Sequence, residues 1–368
     1  MKTVRTNTKK EAMSELAKFQ IEVEAGEYIS PEKMTLSAFV DEWKEKHASR
    51  NLAPSTMKVY MEHIRQHILP KFGHLQINQI RTIQVVTFIN DLSKSVSNSK
   101  PLSDSTVLYI YKVLKHLITK AVEWRLLQKN PMDKIMQPKV QRKKMNYYDE
   151  KEARELIAAL SKGPVGWRLY YLGCMLGGFR RGELVGLEWS NVNFEDNSIT
   201  ICKSIPLTLN GQAIEKLPKT DYSIREVDMP AWYMNELRDY RDQWLQEKQL
   251  QGDSWLGGDK EYVFHSGNGR PYYYSRPSHN WKVFIRRHQL KEIRLHDLRH
   301  SAATLLIEEN ASLKAIQERL GHSKFEVTAY FYAHVTKKVS RDTANKLEKF
   351  NPKNFVPNPS PNDISDQM

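Results

Sequence analysis

The sequence predicts a multidomain, mainly α-helical protein in which a helical domain is followed by a mixed α+β domain with a small antiparallel sheet. Apolar residues recur at helical spacing in MTLSAFVDEW and again in KPLSDSTVLYIYKVLKHLITKAVEWRLL. SITICK and REVDM alternate as strands do, with Arg225, Val227 and Met229 at every other position of the second. Prolines and basic residues between the two regions indicate an exposed linker.

These patterns divide the chain into five segments. Within the helical domain a helix is expected to start at Pro54 and to stop at Pro70. Asp149 opens the mixed domain, because the helical stretch EKEARELIAAL follows it. The predicted segments are an N-terminal helix in residues 1–32, a helical domain in 33–131, a basic linker in 132–146, a mixed domain in 147–350 and a disordered, Pro- and Asn-rich tail in 351–368.

Composition points to an anionic partner. The chain of 368 residues has 56 Lys and Arg against 43 Asp and Glu, a net charge of +13, which favours nucleic acid first and an acidic membrane surface second. No apolar run reaches the length of a membrane span, and the first residues lack the apolar core of a signal peptide. Cys174 and Cys202 form no CxxC pair, so a cytoplasmic protein without a membrane partner is expected.

The stretch HDLRHSAATLL, residues 296–306, has two histidines four positions apart. A zinc hydrolase motif is HExxH, in which a glutamate acts as the base. Here Asp297, one carbon shorter, stands at that position, and no third ligand is placed as such sites require. Zinc is therefore the weaker interpretation, and no metal is expected.

A helical wheel of the same stretch favours phosphate binding. Leu298 and Ala302 fall on the face expected in the core, and His296, Arg299 and His300 fall on the opposite face. An exposed arginine there would present two parallel donors to a phosphate. Taken alone, the stretch also fits ordinary surface polar residues with a structural histidine.

Downstream, ASLKAIQERLGHSKFEVTAYFYAHV predicts two short helices. Gly321 ends the first as a C-cap, so His322 lies on the turn, and the second helix carries Tyr330 and Tyr332. Two short helices around a glycine turn also fit a helix-turn-helix DNA-binding unit, and an aromatic stripe is often simply core.

Upstream, LGGFRRGELVGLEW places Arg180 and Arg181 directly after a Gly-Gly helix stop, with Glu183 in the short helix that follows. An arginine beside Glu183 also fits a surface ion pair. LPKTDYSIREVDMP places Lys219 near the tip of a hairpin, where most lysines are simply solvated.

In this order, the segments R-R-G-E-L, P-K-T, H-D-L-R-H, L-G-H-S and Y-A-H-V resemble the tyrosine recombinase (phage integrase) family, in particular integrases of Gram-positive prophages and integrative conjugative elements. The resemblance covers the second domain and extends to the helical block before it. It implies a site-specific recombinase that cuts and rejoins DNA through a 3′-phosphotyrosine, to integrate and excise a mobile element. No metal, ATP or other cofactor is implied.

The resemblance also implies the site residues. In the family the arginine lies two positions before Gly-Glu, which selects Arg180 over Arg181. The Ala-His-Val that follows Tyr332 favours Tyr332 over Tyr330 as the nucleophile. The implied catalytic roles are phosphate binding by Arg180, Arg299 and His322, assistance to proton transfer by His296, protonation of the leaving 5′-oxygen by Lys219 and nucleophilic attack by Tyr332. Supporting roles fall to Glu183, Asp297 and His300, and DNA phosphate contacts to Lys139, Arg142, Lys143 and Lys144 of the linker.

The remaining implications concern partners and domains. Residues 33–131 resemble the SAM-like core-binding domain, and the N-terminal helix resembles the last element of an arm-binding domain that is either lost or truncated. The implied partners are double-stranded DNA attachment sites, a homotetramer that acts through a Holliday junction, an excisionase and a host DNA-bending protein. The alternatives are a monomeric relaxing topoisomerase of the same catalytic type and a non-catalytic DNA-binding regulator that uses the helix pair at 312–334.

Overall fold

A computed structural model describes the backbone over most of the chain, and the side chains there except at 18–24 and 330–332. The described residues are 8–24, 33–94, 101–141, 145–217, 224–332 and 344–352. The chain divides into two compact units, Met1–Lys143 and Lys144–Met368. Helices dominate both units, and the five strands of the described segments all lie in the second. The predicted fold class is confirmed.

The first unit is a helical bundle around its own apolar core. Its longest helix begins after Ser103, whose hydroxyl accepts a hydrogen bond from the backbone N–H of Thr106, and it buries Ile110, Leu114 and Leu117 at helical spacing. The helices are α1 (Lys9–Glu24), α2 (Leu36–Trp43), α3 (Ser49–Asn51), α4 (Pro54–His63), α5 (Leu69–Phe72), α6 (Thr82–Leu92) and α7 (Asp104–Glu123).

The predicted helix start at Pro54 is confirmed, but the predicted stop at Pro70 is wrong. A π-helical turn, Ile64–Ile68, joins α4 to α5, and the backbone N–H of Leu69 bonds to the carbonyl of Ile64. This wider turn starts a new hydrogen-bonding register, so Pro70 lies in the first turn of α5, where its missing N–H is tolerated.

The second unit combines helices with five strands within its described ranges. The helix predicted to follow Asp149 is present, because the Asp149 carboxylate accepts the backbone N–H of Glu152 and the Glu152 carboxylate accepts that of Asp149. The helices are α8 (Glu150–Leu160), α9 (Val165–Leu176), α10 (Arg181–Val185), α11 (Ala231–Gln251), α12 (Arg276–Arg287), α13 (Asp297–Glu308), α14 (Leu313–Leu320) and α15 (Phe325–Tyr332). The strands are β1 (Val192–Asn193), β2 (Ser198–Ile201), β3 (Ser204–Leu209), β4 (Gln212–Lys216) and β5 (Arg225–Asp228).

Two small antiparallel sheets stand beside these helices. In the first, β2 lies between β1 and β5, and Ile201 pairs with Arg225. In the second, β3 and β4 form a hairpin whose turn, Asn210–Gly211, has positive φ at both residues. Asn-Gly is the preferred pair for such a turn, yet this hairpin was not among the predicted elements.

The core of the second unit surrounds α9, which packs against α8, α10, α11 and α13. Helix α13 in turn packs against α9, α14 and α15, so side chains on most of its circumference are covered. Within the segments that the structure describes, no helix is long and apolar enough to cross a membrane.

Candidate active site

Arg180 is positioned by the turn that ends α9. Gly178 adopts a left-handed conformation (φ +63), which reverses the chain so that Arg180 becomes the N-cap of α10. Its backbone N–H donates to Glu183 Oε2 (2.8 Å), its Nη1 donates to Glu183 Oε1 (2.8 Å), and its Nη2 donates to the carbonyl of Gly321 (3.0 Å). The guanidinium is thus held in place while its side chain stays 38% exposed.

The neighbouring Arg181 also faces the cleft described below, but it is held differently. Its Nη1 donates to Ser278 Oγ (3.2 Å), and its guanidinium lies 5.5 Å from the centre of the Tyr274 ring.

Glu183 is only 6% exposed and is shared by two guanidinium groups. Besides Arg180, it accepts hydrogen bonds from Arg225 Nη1 (3.2 Å to Oε1) and Nη2 (2.8 Å to Oε2). Burial alone would raise the pKa of this carboxyl, but the hydrogen bonds and charges of Arg225 and Arg180 outweigh burial and lower it to about 2. Glu183 therefore stays ionised at all physiological pH values.

Arg299 is buried at 2% exposure, which corrects the prediction that it lies on an exposed face of its helix. The helical wheel failed because α9, α14 and α15 cover α13 on several sides. Its guanidinium donates instead to the carbonyls of Gly178 and Leu320, at the ends of α9 and α14. Arg299 thereby ties together the two turns that carry Arg180 and His322.

Arg299 is a buried cation whose charge has little compensation. Burial lowers its pKa well below the ordinary value, and the positive charge of Arg180 lowers it further, while Glu183 opposes both. Among the described residues, no carboxylate forms an ion pair with it. An arginine keeps its proton in proteins, so an anion bound nearby would stabilise this centre.

His322 lies on the turn after α14, as predicted. Gly321 is in the left-handed conformation (φ 62, ψ 50) at the C-cap. His322 is 9% exposed, and its Nδ1 lies 2.9 Å from the hydroxyl of Thr328. Burial, followed by the charges of Arg299 and Arg180, lowers the pKa of His322 to about 3, so the ring is neutral at physiological pH.

His296, Asp297 and His300 lie at the start of α13. His296 is exposed, and burial of part of its ring together with the charge of Arg299 lowers its pKa. Asp297 is buried and accepts hydrogen bonds from the backbone N–H (2.9 Å) and guanidinium (2.8 Å) of Arg294. His300 Nε2 lies 3.7 Å from Asp297, and burial lowers the pKa of His300 to about 4. Asp297 and His300 are therefore placed to support the start of the helix.

Members of this set share one open cleft of about 830 Å³. Arg180, His296 and His322 line it, together with Lys216 at the end of β4 and Lys203 directly before β3. Arg299 is buried and bonds to the turns that carry Arg180 and His322. Cations from separate elements that face one cleft are suited to bind the oxygens of a phosphate.

Several predicted site residues cannot be placed in this way. Lys219, Arg142, Lys143 and Lys144 lie outside the described residues. Tyr332 is the last residue of α15, and only its backbone is described. Lys139 is exposed and belongs to the first unit, whereas the cleft is lined by residues of the second. No group of three or more His, Cys, Asp or Glu side chains that could hold a metal ion occurs among the residues described.

Two arginines of this region were not predicted as site residues. Arg225 bonds to Glu183, and its Nε donates to the carbonyl of Arg319 (2.8 Å). Arg319 Nη2 donates to the carbonyl of Leu176 (2.9 Å), at the end of α9. The sequence held a signal for Arg225, which alternates with Val227 and Met229 on the inward face of β5.

The two family matches fall in different units of the chain. Residues 146–339 match the phage integrase family, and residues 35–93 match the phage integrase N-terminal SAM-like domain. A XerC-like tyrosine recombinase of Caldanaerobacter subterraneus subsp. tengcongensis is 28% identical over 94% of this chain and 90% of its own length. The ICEBs1 integrase of Bacillus subtilis is 28% identical over 77% of this chain and 75% of its own.

Among solved structures, the Tn1549 transposon integrase in complex with transposon right end DNA superposes with a TM-score of 0.67. It shares 18% sequence identity, over 86% of this chain and all (100%) of that one. A lambda integrase tetramer bound to a Holliday junction superposes with a TM-score of 0.58 at 18% identity, over 91% of this chain and 89% of that one. The resemblance predicted from the sequence motifs is confirmed.

Proposed function

Since this chain belongs to the phage integrase family, we propose that it is a site-specific DNA recombinase that integrates and excises a mobile element. It cuts and rejoins double-stranded attachment sites through a 3′-phosphotyrosine intermediate. The observation that carries this proposal is the cleft lined by Arg180 and His322, whose two turns are joined by the buried Arg299. Strand exchange demands little else than such a charged, preorganised phosphate site and a nucleophile.

The phosphate site consists of Arg180, Arg299 and His322. Arg180 reaches the cleft and offers its guanidinium to a non-bridging oxygen, and the charge of Arg299 acts from behind. His322 is neutral, so its Nε2 donates a hydrogen bond to phosphate only in the tautomer that carries the proton on Nε2. The Thr328 hydroxyl, 2.9 Å from Nδ1, selects that tautomer when it donates to Nδ1.

The proton transfers fall to His296 and Lys219. His296 is exposed at the cleft, and its lowered pKa leaves the ring neutral and able to accept a proton from the attacking phenol. Lys219 would protonate the leaving 5′-oxygen. Support for it comes from Lys216, three residues earlier, which already lines the cleft at the end of β4.

Tyr332 is proposed as the nucleophile. Positions 328 and 332 lie one turn apart on the same face of α15, and Thr328 touches His322, whereas position 330 lies on another face. A phenol ionises near pH 10 in water, so the neighbouring cations would assist its deprotonation. The phosphotyrosine keeps the energy of the broken bond, so rejoining needs no ATP, metal or other cofactor.

The proposal extends to domains, assembly and location. We assign residues 33–131 as the core-binding domain, 132–146 as a linker whose Lys139 is exposed to reach DNA phosphates, and 147–350 as the catalytic domain. Residues 1–32, which contain α1, and residues 351–368 flank these domains in the sequence. A tetramer on DNA, as in the lambda integrase complex, would act with an excisionase and a host DNA-bending protein in the cytoplasm.

Trapping the covalent intermediate tests this function. The full-length protein is incubated in EDTA with sheared DNA of the source organism and denatured, and DNA attached to protein is measured. The proposal predicts an adduct for the wild type and for Tyr330→Phe, and none for Tyr332→Phe. Sequencing of the trapped ends should return one site, whereas ends spread over many sequences would favour a relaxing topoisomerase.

If no variant gives an adduct, the cleavage site is still unknown, so the same DNA carrying random nicks decides the question. Where a nick lies just beyond the cleavage site, the short 5′-hydroxyl fragment diffuses away, so religation cannot hide the intermediate. Binding without any adduct on that substrate would contradict a recombinase and favour the non-catalytic regulator. An adduct that forms with Tyr332→Phe but not with Tyr330→Phe would move the nucleophile to Tyr330.

A further inference from the structure

Arg225 is a buried arginine to which the reaction outlined above assigns no role. It opens β5, its side chain is 5% exposed, and it faces inward with Val227 and Met229. Burying a guanidinium is costly unless it is paired and hydrogen-bonded. Here Nη1 and Nη2 donate to Glu183 and Nε donates to the carbonyl of Arg319, so three of its five N–H groups hold it in one orientation.

These bonds join Arg225 to the two elements that carry the phosphate ligands. Through Glu183 it reaches α10, where Arg180 is the N-cap. Through the carbonyl of Arg319 it reaches the last turn of α14, directly before Gly321 and His322. A Cβ at Gly321 would lie 3.0 Å from Arg225 Nη1, so the guanidinium also packs against that turn.

Arg225 further determines how much charge Arg180 can offer. Glu183 bonds to both guanidinium groups, so the trio Arg180–Glu183–Arg225 carries a net charge of +1. Without Arg225, the carboxylate would neutralise Arg180 alone, and the phosphate would meet an ion pair instead of a cation. A lysine at 225 would keep the charge but lose the bidentate pairing with Glu183 and the hydrogen bond to the carbonyl of Arg319.

We propose that Arg225 is a positioning residue for strand cleavage, which holds Arg180 and the Gly321–His322 turn against the scissile phosphate through Glu183. This inference rests on the proposed function, because it takes Arg180 and His322 as phosphate ligands. Through Arg180 and His322, Arg225 affects the stabilisation of the non-bridging oxygens and not the protonation of the leaving group.

Two substrate analogues separate this role from other roles. A bridging sulfur in place of the 5′-oxygen gives a thiolate leaving group, which departs without a general acid because a thiol is far more acidic than an alcohol. A methylphosphonate at the cleavage site removes the negative charge that the arginines neutralise. Both are made on the site recovered from trapped ends, and single-turnover cleavage and DNA binding are measured for each variant.

For Arg225→Lys, cleavage of the ordinary site is expected to fall on the order of 100-fold, as for a catalytic group displaced by about 1 Å, while DNA binding is unchanged. The bridging sulfur should leave this gap as it is. The methylphosphonate should close it, because wild type and variant then lack the same contribution. Arg168→Lys is the matched control, since Arg168 pairs with Glu236 between α9 and α11 away from the cleft, and it should cleave at the wild-type rate.

Coupling between Arg225 and Glu183 is tested by a double variant. If Arg225 acts through Glu183, Arg225→Lys combined with Glu183→Gln should cleave no more slowly than the slower single variant. Losses that multiply in the double variant would overturn the inference, as would an undiminished rate for Arg225→Lys or its rescue by the bridging sulfur. An absent wild-type adduct on the nicked site would reject the proposed function and this inference together.

Discussion

Glu183→Gln is the substitution whose effect the structure specifies most fully. The glutamine keeps the shape of the side chain but removes the only carboxylate that pairs with Arg180 and Arg225 among the described residues. The pKa of Glu183 falls from 4.5 to about 2 on folding. At about 1.4 kcal/mol for each pH unit, this corresponds to about 3–4 kcal/mol of stability at pH 7. Breaking a buried ion pair from one side costs about 3–5 kcal/mol, which agrees.

The pH dependence gives this prediction its sign. Because the folded state has the lower pKa, the contribution of Glu183 is complete above pH 4.5 and is lost as the pH falls from 4.5 towards 2. The stability gap between wild type and Glu183→Gln should therefore stay constant from pH 7 to about 5. Below that it should shrink, since wild-type Glu183 becomes protonated during unfolding.

A urea titration of the full chain, read by pulsed hydrogen exchange on peptides of α13, measures this gap in the second unit alone. Exchange on α7 peptides serves as the control, because α7 lies in the first unit and should not respond. A gap below about 1 kcal/mol at pH 7, the size of an ordinary surface ion pair, would refute the reasoning. A gap that persists unchanged to pH 3 would refute it as well.

Three further predictions concern neighbouring positions. Gly321→Ala puts an alanine in the left-handed region and its Cβ within 3.0 Å of Arg225. The free energy of unfolding should fall by more than the backbone strain of about 1–2 kcal/mol, and cleavage should slow. His322 has a folded pKa of about 3, so the wild type should lose stability as the pH falls from about 6.5 towards 3. In urea titrations, His322→Gln should lose less stability over this pH range. Leu114→Ala, at a fully buried position, should cost the first unit about 2–5 kcal/mol by the same exchange assay on α7 peptides and leave α13 peptides unaffected.

The helices and the order of the motifs could be predicted from the sequence because their signals are local. Asp149 and Gly321 cap the helices where the capping rules place them. The helix stop predicted at Pro70 was wrong because a π-helical turn reset the hydrogen-bonding register, and that turn has no sequence signature. The β3–β4 hairpin was missed although Asn210–Gly211 is a strong local signal for it.

The site was predicted residue by residue but not in its packing. A helical wheel assigns one face to solvent, and it placed Arg299 there, whereas three helices cover α13 and bury that guanidinium. Arg225 was visible as a charge on the apolar side of a strand, yet its partner Glu183 is 42 residues away in sequence. Such a pairing depends on the tertiary fold and has no local signal.

We propose above all that Tyr332 becomes linked to a DNA 3′-phosphate in this cleft. Trapping the adduct on the nicked site, digesting the DNA and the protein, and identifying the modified peptide by mass spectrometry tests this linkage. We expect a single nucleotide joined through its 3′-phosphate to Tyr332. A nucleotide on Tyr330 or on any other side chain, or a link through a 5′-phosphate, would contradict it.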